Sequence, residues 1–65
     1  MSNFKKPTVK LSGINGNAFS VMTEVQRGLE KADAPPEHII NYIEEAMSGD
    51  YNNLLRVSMK YVDVI

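Results

Sequence analysis

A chain of 65 residues suffices for one domain, and a domain of that size buries only about 60% of the surface its unfolded chain exposes, so its stability margin is thin. Cysteine is absent, which excludes a disulfide framework and thiolate metal sites and favours a cytoplasmic setting. Seven basic against eight acidic residues leave a net charge of -1, which supplies no global field to draw nucleic acid or an anionic membrane. A signal-peptide core and a run of about 18 apolar residues are both missing, so no membrane span is expected.

The chain is read as one domain over 1–65, with 1–6 expected to be a flexible N-terminus. In K-P-T-V-K-L, residues 6–11, Val9 and Leu11 alternate with Thr8 and Lys10, the pattern of a short half-buried strand. Pro7 cannot donate to a ladder, so it belongs at the strand start or on an outer edge. A loop, S-G-I-N-G-N, follows. Ala18, Met22, Val25, Leu29 and Ala32 then recur at spacings of four and three, which predicts an amphipathic helix over 18–31. Gly28 inside it costs about 1 kcal/mol relative to alanine, and a close crossing of another element would account for it.

In D-A-P-P-E-H, Pro35 stays outside the next helix and Pro36 suits its first position, with Glu37 near the positive dipole end. Ile39, Ile40, Ile43, Ala46 and Met47 form the expected buried face of this second helix, and Gly49 the left-handed residue after it. Asp50 caps a third helix, on which Leu54, Leu55, Ser58 and Met59 repeat at helical spacing while Arg56 and Lys60 complement the negative end. The tail Y-V-D-V-I switches to period two and reads as a second strand. The expected architecture is α+β: strand, helix, helix, helix, strand, with the terminal strands paired beneath the helices. A two-stranded sheet is marginal and exposes both edges, so a homo-oligomer is expected.

Two loops carry the candidate binding residues. Gly13, Asn15, Gly16 and Asn17 combine free backbone amides with a helix N-terminus, the parts of an anion site, but Walker and dinucleotide signatures are missing. In the alternative reading Asn15 and Gly16 supply positive φ and Asn17 caps the helix, which needs no ligand. Asp50, Tyr51, Asn52 and Asn53 carry the same ambiguity, and the helix-stop-helix around them also admits a helix-turn-helix. Glu37, Glu44 and Glu45 would there meet DNA phosphates, which argues against nucleic acid. His38, the sole histidine, is expected with Tyr42 and Glu45 on the outer face of the second helix, as a candidate partner surface and not a metal site. No nucleophile stands at a recognisable spacing from a base, so neither catalysis nor a cofactor is implied.

The blocks G-x-x-G-N-A-F and S-G-D-Y-x-x-L-L, separated by two helices and followed by V-x-V, resemble a group of short uncharacterised bacterial and bacteriophage proteins. The resemblance runs from Val9 onward and implies a small accessory protein of a phage or mobile element. Two functional expectations follow. One is a homo-oligomeric interaction module engaging a host or viral protein; the other is an oligomeric binder of a phosphate-containing small ligand or nucleotide at loop 13–17.

Overall fold

The computed structural model describes residues 6–13 and 16–65. Strand β1 (Thr8–Val9) leads into α1 (Ala18–Lys31), α2 (Pro36–Ala46), α3 (Tyr51–Tyr61) and strand β2 (Asp63–Val64). The two strands pair in parallel, with Thr8 opposite Asp63 and Val9 opposite Val64, a small α+β arrangement of the expected order. Each strand is shorter than its alternating segment. The helical conformation of α3 runs on through Tyr61, and the extended backbone begins at Val62. Residues 1–5, which hold most of the N-terminal segment expected to be flexible, lie outside the described residues, whereas Lys6 reaches Asp63 at 3.6 Å.

Local signals account for the helix boundaries. Asn17 Oδ1 accepts from the Ser20 amide at 2.8 Å and Asp50 Oδ1 from the Asn53 amide at 2.9 Å, so both side chains cap their helices. Pro36 opens α2, where its missing N–H costs nothing. At the end of α1 the left-handed residue is Asp33, with φ 62°; its amide donates to Glu30 and that of Ala34 donates to Leu29 at 3.0 Å, a Schellman closure with two buried apolar residues beside it. Gly49, expected in that role after α2, does not adopt positive φ. A Cβ there would stand 2.9 Å from Asn53 Cβ, so what the position requires is space against the first turn of α3.

The core is one thin layer between helices and strands, in a molecule 15 Å across its shortest axis. Val21, Val25 and Leu29 of α1, Tyr42 and Ala46 of α2, Leu54 and Val57 of α3, and Val9 and Val62 fill it. Gly28 sits where β1 crosses α1: a Cβ on it would fall 2.5 Å from Val9 Cγ2, so any side chain there would force Val9 to shift. On α2 the buried stripe is rotated from the expected one. Ile40 and Met47 are exposed, Ile39 and Ile43 half-buried, and Tyr42 fully buried rather than on the outer face. The polar end of Tyr42 explains the difference, because its hydroxyl lies 2.7 Å from Ser58 Oγ on α3 and is thereby satisfied inside the core. The Ser58 hydroxyl donates its one hydrogen bond to the Leu54 carbonyl at 2.8 Å, so Tyr42 must be the donor between them.

That direction of donation makes the pair asymmetric. Tyr42→Phe leaves Ser58 bonded to Leu54, whereas Ser58→Ala strands a buried hydroxyl. Urea unfolding is expected to show a loss of about 0.5 to 1.5 kcal/mol for Tyr42→Phe and about 1 to 3 kcal/mol for Ser58→Ala. Equal losses, or a reversed order, would remove the assigned donor.

Candidate functional site

The two loops singled out in the sequence come together at one point. Gly13 holds φ 84°, a backbone that favours glycine, and an added Cβ would meet nothing within 4 Å. A Cβ on Gly16 would lie 3.8 Å from the Tyr51 hydroxyl, so the loop before α1 faces the first turn of α3. Asn15 lies outside the described residues. The side chains of Asn17 and Asp50 are engaged as caps, and Asn53 Nδ2 donates to the Glu45 carbonyl at 3.0 Å, joining the start of α3 to the end of α2. Tyr51 and Asn52 remain exposed. Of the four cations that could serve a phosphate here, Lys10 and Arg27 line a groove beside β1 and Lys60 pairs with Glu45 at 2.8 Å, whereas Arg56 is exposed on α3 one helical turn beyond Asn52.

His38, Tyr42 and Glu45 stand at i, i+4 and i+7 on α2, one stripe of the helix, and all three converge on Tyr61 of α3. The Tyr61 hydroxyl donates to Glu45 Oε1 at 2.8 Å while Lys60 Nζ donates to Oε2 at 2.8 Å. The Tyr61 ring meets His38 at 5.0 Å and the edge of Tyr42 at 5.3 Å between centroids. His38, Lys60 and Tyr61, with Lys6, line a cleft of about 340 Å³.

Nothing in the local sequence pairs Tyr61 or Ser58 with this stripe, because both lie on α3 and meet it only through packing. Only the helical spacing of His38, Tyr42 and Glu45 hinted at a shared neighbour.

Electrostatics define what this cluster can do. The hydrogen bonds from Lys60 and Tyr61 hold the Glu45 carboxyl below its ordinary 4.5, so it is an anion with both oxygens engaged at neutral pH. Burial, then the bond to the Glu45 carboxylate, pushes the Tyr61 hydroxyl up to about 12. Burial likewise raises Tyr42 above its ordinary 10.0, against the opposing bond to Ser58. Each Glu45 oxygen thus accepts one hydrogen bond from α3 and Tyr61 keeps its proton at neutral pH, so the cluster ties α2 to α3. Among the described residues no group of three or more His, Asp or Glu side chains is placed to hold a metal ion, and no helix is long and apolar enough to cross a membrane.

Two surfaces remain open. On one side Leu11, Leu55, Met59, Val64 and Ile65 line an apolar groove of about 400 Å³, with Met59 57% and Ile65 64% exposed. On the other, β1 and α1 border a groove of about 330 Å³ that is rich in cations. No protein-family model, curated protein or solved structure matches the chain.

The signs of these shifts define a pH window. Glu45, lowered, contributes stability above its unfolded value of 4.5 that is lost as pH falls through its folded pKa. Tyr61, raised, contributes stability below 10.0 that is lost as pH climbs toward about 12, and Tyr42 acts in the same direction. Melting temperatures followed by circular dichroism are expected to fall on both flanks, with the acid flank flatter in Glu45→Gln and the alkaline flank flatter in Tyr61→Phe. Flanks unchanged by both substitutions would dissolve the assignment.

Proposed function

We propose that the chain is a small accessory protein that acts as a homo-oligomeric protein-interaction module, with the apolar groove as the face that joins copies. The carrying observation is the clustering of exposed apolar side chains: Met59, Val64 and Ile65 are exposed side by side over half-buried Leu11 and Leu55, where scattered exposure would mean nothing. A second copy is the occupant favoured by the fold itself. Among the described residues the sheet behind this face has two strands, and burying its outer side in a partner relieves the marginality of so small a sheet. The resemblance of the two sequence blocks to short bacterial and bacteriophage proteins accords with an accessory role toward a host or viral protein.

A phosphate-containing ligand or nucleotide at loop 13–17 is the second reading, favoured by the approach of Tyr51 to Gly16. It ranks below the first because Lys10 and Arg27 line another groove and Lys60 is held by Glu45, which leaves Arg56, exposed on α3, as the single remaining cation of the four.

Light scattering across the micromolar range tests the module directly. The wild type is expected at a multiple of the chain mass, and Met59→Lys, which places a charge in the groove without touching the buried core, at the mass of a single chain with its helical signal intact. A wild-type monomer throughout, or a Met59→Lys variant that still associates, would contradict the proposal.

A further inference from the structure

The edge of β1 that faces away from β2 adjoins a cationic groove. In the parallel pair the Asp63 amide donates to the Pro7 carbonyl at 2.9 Å, the Ile65 amide to Val9 at 3.0 Å, and the Leu11 amide to Ile65 at 3.0 Å. Main-chain groups alternate in direction along a strand, so those of Pro7, Val9 and Leu11 face β2 and those of Thr8 and Lys10 face the opposite edge. Among the described residues the sheet has two strands, so that edge carries no neighbour there. It opens into the groove that Thr8, Lys10, Glu24, Arg27, Gly28 and Lys31 line, of about 330 Å³.

The charge of this groove runs against that of the chain. Lys10, Arg27 and Lys31 stand against one carboxylate, Glu24, which approaches Arg27 at 3.7 Å; Lys10 and Lys31 have no ion-pair partner among the described residues. Arg27 and Lys31 are one helical turn apart on α1, so both project along the side of the helix that borders β1. A chain of net charge -1 thus presents a local excess of positive charge beside a row of unpaired backbone groups. Gly28, where a side chain would press on Val9, adds no bulk to the groove.

We propose that this edge takes an extended acidic peptide segment of a partner protein, which adds as a third strand alongside β1 while its carboxylates meet Lys10, Arg27 and Lys31. Backbone hydrogen bonds to Thr8 and Lys10 give such a segment its register, and the cations select for acidic side chains. The first five residues of the chain, M-S-N-F-K, hold no carboxylate and do not match this charge. The inference rests on the interaction-module reading but not on self-association, because the apolar groove is lined by other residues.

A fluorescently labelled peptide of alternating valine and glutamate, its lysine counterpart, a version with a central proline and a single-stranded oligonucleotide serve as probes. Anisotropy and amide chemical shifts are read on the wild type, on Met59→Lys and on Arg27→Glu/Lys31→Glu, whose altered positions are both exposed. The acidic peptide is expected to bind wild type and Met59→Lys alike, to shift the Thr8 and Lys10 amides, and to weaken with added salt. Charge reversal is expected to weaken it by about tenfold or more, and the lysine and proline peptides are expected to fail. No binding by the acidic peptide, binding indifferent to the charge reversal, or tighter binding of the oligonucleotide at the same residues would overturn the inference. Failure of self-association alone would leave the peptide result standing, and a peptide failure would leave the oligomer standing.

Discussion

The contact between Val9 and Gly28 is the constraint on which the other features of this fold depend. A strand of two residues has little of its own to hold it, and β1 lies against α1 because one valine side chain enters the space left by one missing Cβ. The approach fixes the height of β1 over the helix. It thereby positions the Pro7 and Val9 carbonyls that receive the Asp63 and Ile65 amides, and brings the two ends of the domain into one parallel pair. Parallel strands require a crossover between them, and here the crossover is the whole helical body. Both open surfaces derive from this arrangement: the apolar groove beside β2 and the cationic groove beside β1.

The opposite end is held by polar ties that suit a thin core. With a shortest dimension of 15 Å there is no room for a second apolar layer, so α2 and α3 are joined by Tyr42 to Ser58 inside and by Glu45 to Lys60 and Tyr61 at the margin. A tyrosine in this position adds large apolar area and a directed hydrogen bond at once. Because the Ser58 hydroxyl donates a hydrogen bond to the Leu54 carbonyl, every member of the buried chain has a partner, and among the described residues no buried side-chain nitrogen or oxygen is left without one. The exposed Lys60 pair adds little by itself, as surface ion pairs do. Its effect here is to orient Glu45 toward the Tyr61 hydroxyl.

Much of this was legible before any coordinates. The limits of α1, the start of α2 at Pro36, the caps Asn17 and Asp50, and a close crossing at Gly28 all follow from local chemistry, because each is decided within a few residues. What escaped was decided across the fold. The hydroxyl of Tyr42 suggests an outward residue, and the acceptor that lets it be buried, Ser58, stands 16 residues on in the sequence. Asp33 takes the left-handed site that glycine usually fills, so no glycine marked the end of α1. The parallel direction of the strands is a property of the crossover and leaves no sign in either strand. For the candidate site, the stripe His38, Tyr42, Glu45 was visible as helical spacing, whereas its convergence on Tyr61 depends on how α2 packs against α3.

The dependence on Val9 and Gly28 is open to one direct measurement, urea unfolding of Gly28→Ala in the wild-type and Val9→Ala backgrounds. Alanine in a helix interior is favoured over glycine by about 1 kcal/mol, but here its Cβ would stand 2.5 Å from Val9 Cγ2, an overlap of the kind that costs about 1 to 3 kcal/mol. With Val9 shortened, the nearest atom becomes its Cβ at 3.9 Å, an ordinary contact. Gly28→Ala is therefore expected to destabilise the wild type and to stabilise the Val9→Ala background, a change of sign. A substitution that stabilises both backgrounds equally would mean that β1 does not rest on α1 at Gly28, and the parallel pair and both grooves would lose their foundation.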